Sequence, residues 1–181
     1  MKVEETYLKG CFVITPKVFN DERGYFLETF NQKVFSKETG IKTNFVQDNL
    51  SKSSKGVLRG LHFQEGDSAQ AKLVQVISGK VLDVCVDLRK NSLTFGKHFS
   101  ILLDGINKQQ LYVPRGFAHG FIVLENDTIF SYKCDNYYDK SSESGIIFND
   151  EYLNIDWGFP EDKMIVSEKD KNLLTFKNVF K

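Results

Sequence analysis

Residues 72–88, KLVQVISGKVLDVCVDL, decide the fold. Two runs rich in Val, Ile and Leu flank the turn signal Ser78-Gly79-Lys80. Each has the composition and length of a β-strand rather than of a helix. In the second run Leu82, Val84, Val86 and Leu88 share one face, and Asp83, Cys85 and Asp87 the other. Similar runs follow at 99–105 (FSILLDG), 109–114 (QQLYVP), 119–124 (HGFIVL) and 128–134 (TIFSYKC). Many short strands separated by turns predict an antiparallel sandwich or barrel. Helical signal is confined to 31–39, ending at Gly40, and to 167–176, with Ser167 as cap. The last residues are expected to cover one end of the barrel.

Length and composition fit one domain with a sizeable core: 181 residues, 41% of them hydrophobic, including 16 Phe and 7 Tyr. The 24 basic and 24 acidic residues cancel. No block of like charge marks a nucleic-acid surface. No stretch reads as a signal peptide or a membrane span. The three cysteines, Cys11, Cys85 and Cys134, are widely spaced and form no CxxC pair. These features suggest a reduced, cytoplasmic enzyme or binding protein.

Against this background some polar residues stand out. Residues 56–64, GVLRGLHFQ, are strand-like yet carry Arg59 and His62. Ideal alternation places Leu58, Gly60, His62 and Gln64 on one face, and Val57, Arg59, Leu61 and Phe63 on the other. Taken alone, His62 reads equally as a hydrogen-bonded interior histidine, and Arg59 as a surface arginine or half of an ion pair. Lys72 shares a face with Val74 and Val76. It either snorkels to the rim or is held inside with a shifted pKa. Tyr132 shares a face with Phe130 and Cys134, which suits ordinary core packing. Asp170 closes Ser167-Glu168-Lys169-Asp170, the S-x-x-D form of a capping box. The three histidines, His62, His98 and His119, lack H-x-H or H-x-x-x-H spacing, so no metal site is expected. No cysteine is marked as an activated nucleophile, and no glycine-rich phosphate loop is present.

Taken together, eight segments resemble the dTDP-4-dehydrorhamnose 3,5-epimerase family. They are RGYFLETF (23–30), VQDN (46–49), GVLRGLHFQ (56–64), QAKLVQVISGKVLDVCVDLR (70–89), VPRGFAHGF (113–121), YKCDNYY (132–138), IDWGFP (155–160) and SEKD (167–170). The match runs in order from about residue 7 to residue 175. The resemblance implies an all-β, cupin-like jelly-roll with a few short helices. Its core would cover about 45–150, between an N-terminal arm and a short helical C-terminal segment. It also implies a homodimer that uses no cofactor or metal and acts on a dTDP-linked 4-keto-6-deoxy sugar.

On that resemblance His62 is the catalytic base, paired with Asp170. Tyr132 is the acid, and Lys72 assists at the keto oxygen. Arg59 contacts the pyrophosphate. Arg23 and Glu28 reach a neighbouring subunit's nucleotide, and Phe26 lies near its base. Gln47, Asp48, Asn49, His119, Glu143 and Lys169 contact substrate, and Tyr138 borders the sugar pocket. Departures are Phe63, where the family often has tyrosine, EGDS at 65–68, and the added Gly158-Phe159. They bear on substrate identity more than on chemistry. The alternatives are a mono-epimerase or ketoisomerase on the same scaffold, an enzyme for another nucleotide, a non-catalytic sugar-nucleotide binder, and a metal-dependent cupin.

Overall fold

The computed structural model describes residues 1–181. Fourteen strands follow in order: β1 (Lys2–Glu5), β2 (Phe12–Thr15), β3 (Val18–Asp21), β4 (Gly24–Leu27), β5 (Gln47–Ser53), β6 (Val57–Gln64), β7 (Lys72–Ser78), β8 (Lys80–Asp87), β9 (His98–Asp104), β10 (Gln110–Val113), β11 (Phe117–Val123), β12 (Thr128–Cys134), β13 (Glu143–Gly145) and β14 (Ile165–Val166). Three short helices join them: α1 (Gln32–Thr39), α2 (Glu168–Lys171) and α3 (Phe176–Val179).

Twelve of the strands build two facing sheets of a jelly-roll sandwich. Sheet one runs β1-β2-β10-β7-β12-β5, and sheet two runs β13-β6-β11-β8-β9, with β14 added in parallel to β6. β3 and β4 form a separate ribbon within the N-terminal arm. The two sheets do not join into a closed barrel. Between them lies a core of Val74, Val76, Leu111 and Phe130 from sheet one, against Val81, Leu103, Phe117 and Phe121 from sheet two.

The alternation in β8 is kept, but its two faces have different neighbours from those expected of a half-exposed strand. Cys85 packs into the core between the sheets, while Val84, Val86 and Leu88 point outward. The outward face is buried because the C-terminal segment lies across it, with Ile146, Phe148, Leu153, Trp157 and Phe176. The tail therefore covers the back of sheet two rather than an end of a barrel. Phe35 of α1 packs likewise on the back of sheet one, against Phe12, Leu73 and Tyr112. With both faces covered, the polar face of β8 is the interior one.

The first helix forms as expected. Asn31 caps α1 by accepting from the Val34 N–H, and Gly40 ends it at φ 72°. The C-terminal helix is shorter than the 167–176 run suggests. α2 is a single turn that stops at Lys171, and a second turn, α3, begins only at Phe176.

Candidate active site

A cavity of about 660 Å³ opens between the two sheets. Asn49 and Ser51 of β5, Lys72 of β7 and Tyr132 of β12 line it from sheet one. Arg59 and His62 of β6 and His119 and Phe121 of β11 line it from sheet two. Ser167, Lys169 and Asp170 close its edge. A smaller recess of about 260 Å³ shares His62, Lys72, Tyr132 and Asn49, and extends to Gln47, Tyr138 and Glu143.

Arg59 and His62 reach this one cavity because β6 departs from ideal alternation. In the ladder with β11, His119 lies opposite His62 but Phe121 lies opposite Arg59. Two steps along β11 thus match three along β6. That β-bulge carries one extra residue and reverses the parity. Leu58 and Leu61 turn to the outer core, while Arg59 and His62 both turn inward. Gly60 stands at the bulge with φ +123°, and a Cβ there would lie 2.5 Å from the Gly120 Cα. Only glycine fits so close an approach of two backbones.

His62 forms a half-buried dyad. Its Nε2 lies 2.7 Å from Oδ1 of Asp170, whose side chain is 5% exposed. The other carboxylate oxygen accepts the Gly60 N–H at 3.3 Å. Burial pushes the Asp170 carboxyl upward, but the bonds from His62 and Gly60 outweigh it and hold the group below its ordinary value. Asp170 therefore serves the imidazole as a carboxylate, fixing its tautomer and supporting the imidazolium.

Lys72 and Tyr132 occupy the opposite wall. The Lys72 Nζ lies 5.9 Å from the centroid of the Tyr132 ring. Desolvation pushes the ammonium below its usual value, against the pull of Cys134, Asp83 and Glu143. Desolvation likewise raises the Tyr132 phenol, with Arg59 opposing. Cys134, across the ladder from Lys72, receives the Asn49 amide at 3.7 Å.

The structure adds a second dyad. The His119 Nε2 lies 3.0 and 2.9 Å from the two carboxylate oxygens of Asp83, which is fully buried. Asp83 was not singled out from the sequence. The available signal was its place on the polar face of β8, which proves to be the interior face. His98 sits opposite Val86, on the outer face, so only two of the three histidines reach the cavity.

The remaining expected residues divide into rim and arm. At the rim the Tyr138 hydroxyl donates to Glu143 at 2.9 Å, and Lys169 pairs with the same carboxylate at 2.5 Å. Gln47 accepts the Tyr138 N–H and donates to Asn49. Asp48 faces away from the cavity, because β5 alternates, and pairs with Lys133 at 2.9 Å. Arg23, Phe26 and Glu28 lie on the arm, outside the cavity of their own chain. Arg23 pairs with Asp21, and Phe26 is 70% exposed.

The dTDP-4-dehydrorhamnose 3,5-epimerase family model matches residues 5–178. This chain belongs to that family. A Shigella flexneri member is 51% identical over 172 residues, covering 95% of this chain and 94% of the relative. The crystal structure of the dTDP-4-dehydrorhamnose 3,5-epimerase from Elizabethkingia anophelis superposes with a TM-score of 0.95 at 59% identity, over 98% of this chain and 97% of that one. The dTDP-6-deoxy-D-glucose-3,5-epimerase from Legionella pneumophila, solved with dTDP-4-keto-L-rhamnose, gives 0.93 at 44% identity, over 97% and 93%. The likeness to family members thus spans nearly the whole fold, including every strand that lines the cavity.

Proposed function

We propose that this chain inverts C3 and C5 of dTDP-4-keto-6-deoxy-D-glucose by proton transfer, giving dTDP-4-keto-L-rhamnose for deoxysugar biosynthesis. One observation carries the residue assignments: the His62–Asp170 dyad and the Tyr132 phenol line one cavity from opposing sheets. Facing sheets stand about 10 Å apart, a gap suited to a single sugar ring. A ring held there meets the imidazole on one face and the phenol on the other.

The C4 ketone acidifies the C–H bonds at C3 and C5. His62 removes one proton, and the electron pair of that bond moves through the new C=C bond onto O4. Lys72 stabilises the resulting enolate as an ammonium donor. Tyr132 then delivers a proton to the carbon from the opposite face, which inverts it. The ketone is its own electron sink, so the chemistry requires no added cofactor. Positioned acid–base groups contribute about 10²–10⁴-fold each, and an oxyanion donor about 10²–10³-fold.

Arg59, at the mouth, suits the pyrophosphate through its forked donors. Asn49, Gln47, His119, Glu143, Lys169 and Tyr138 border the sugar. Asp48 faces outward and contributes through its backbone or by fixing β5. Arg23, Phe26 and Glu28 are assigned to the nucleotide site of a second subunit in a homodimer, which their exposed ribbon supports. No helix is long and apolar enough to cross a membrane. A cytoplasmic location fits a nucleotide-sugar substrate and the free cysteines.

The test is incubation with dTDP-4-keto-6-deoxy-D-glucose in D₂O, followed by proton NMR. Deuterium entering both C3 and C5, with inversion at each, is expected. Exchange at C3 alone would make the chain a mono-epimerase. A sugar nucleotide that binds without any exchange would make it a binding module.

A further inference from the structure

The turn that carries Asp170 is too short to stand by itself. α2 holds four residues, far below the length at which a helix is stable in isolation. Two ties fix where it starts. First, β14 pairs with β6 in parallel, Ile165 with Val57 and Val166 with Leu58, so the chain arrives aligned with the strand that bears His62. Second, Ser167 leaves the extended conformation of β14 as a cap (φ −65°, ψ 151°), and its Oγ accepts the backbone N–H of Asp170 at 3.1 Å.

The S-x-x-D sequence thereby divides its duties. The hydroxyl takes the backbone N–H of Asp170, and the Asp170 carboxylate is left for Nε2 of His62 and the N–H of Gly60. The geometry points to Ser167 as a positioning residue of the catalytic base: it orders the turn that aims Asp170 at His62. This inference rests on His62 being the base. The functional reading of Asp170 and its helix-cap reading are then one arrangement, with the cap supplied by a residue three positions earlier.

The test compares Ser167→Ala and Ser167→Thr in the parent enzyme and in an Asp170→Asn background. A cap of this kind shifts the local equilibrium about fivefold. Ser167→Ala is therefore expected to lower kcat by up to about fivefold, with KM held within about twofold. Threonine, which can still cap, restores kcat. With Asp170 already replaced, the serine substitution costs nothing further, because the two act as one unit. A raised KM at unchanged kcat would instead make Ser167 a substrate contact. An equal loss in both backgrounds would make it merely structural. Either result overturns the proposal.

A second readout does not depend on turnover. The Nε2–H resonance of His62, sharp when bonded to a fixed carboxylate, broadens by exchange with water in Ser167→Ala and stays sharp in Ser167→Thr. An unchanged resonance in Ser167→Ala refutes the positioning role. If His62→Ala retained parental deuterium exchange, the base assignment would fail instead, and the resonance would still report whether Ser167 orders the pair.

Discussion

Replacing Gly60 by alanine tests the link between the bulge and the site. The new Cβ would stand 2.5 Å from the Gly120 Cα and 2.8 Å from the His119 carbonyl oxygen. Carbon atoms rest at about 3.5–4.0 Å, so β6 and β11 must part by about 1 Å. The neighbouring atoms are backbone and cannot swing aside. The positive φ of Gly60 adds about 1–3 kcal/mol of strain for any residue with a side chain. Stretching one or two ladder hydrogen bonds adds about 1 kcal/mol each. The sum is about 2–5 kcal/mol, or roughly 10 °C in Tm for a chain of this length. The same displacement moves His62 and Arg59, which flank the bulge, and a shift of about 1 Å costs about 100-fold in turnover. Thermal and urea unfolding would measure the first effect, and deuterium exchange into the sugar the second. A variant that melted within about 2 °C of the parent and kept full kcat would refute the close packing of Gly60 against Gly120 and the role of the bulge.

Other outcomes follow from the same geometry. His62→Ala should lose both deuterium exchange and product formation, by about 10²–10⁴-fold. Tyr132→Phe should keep exchange at carbons that His62 can deprotonate while inversion fails; loss of both to the same degree would remove the division of labour between the two. Asp87 is buried, which alone would raise its carboxyl, but bonds from Arg89, Ser92 and Thr94 lower it to about 2. A depressed folded value means stability that is present above the unfolded pKa and lost as pH falls through the folded one. Asp87→Asn should therefore cost about 2 kcal/mol at neutral pH. The difference should shrink below pH 4 and vanish near about pH 2, as read by urea midpoints across that range. On the alkaline side, burial lowers Lys72 and raises Tyr132, and the proposed mechanism places the alkaline limit on the lysine. The alkaline decline of deuterium exchange should then persist in Tyr132→Phe and move to higher pH in Lys72→Arg.

The strands and the first helix were legible because each depends on local pattern, whereas the cavity residues were marked by the family resemblance and not by pattern. Alternation around Ser78-Gly79-Lys80 yields β7 and β8, and it places Lys72 with Val74 and Tyr132 with Phe130, all facing inward. What stayed hidden depends on contacts between distant segments. The bulge in β6 is set by the close approach of Gly60 to Gly120, which no alternation rule contains. The interior face of β8 was ambiguous because the tail buries the other face, so hydrophobicity no longer marks which side is inside. Asp83 was missed for that reason. Asp170 illustrates the converse case: the local capping pattern was visible, but its partner His62 lies 108 residues away.

The placement of the proposed base and acid on different sheets has a physical consequence. A sandwich has rigid walls, and the side chains lining its gap approach a ligand from two sides without any movement of the backbone. Inversion of carbon needs that arrangement, since the proton must leave by one face and return by the other. The same desolvation that lowers the Lys72 ammonium raises the Tyr132 phenol, because burial disfavours charge on both. On the proposed mechanism this makes the lysine the readier donor to the enolate oxygen, while the tyrosine keeps its proton for the carbanion. Asp170 escapes this trend because His62, Gly60 and Ser167 bond its charged form. One buried gap thus sorts three titratable groups into three roles according to the partners each has, and the bulge at Gly60 brings His62 into that gap.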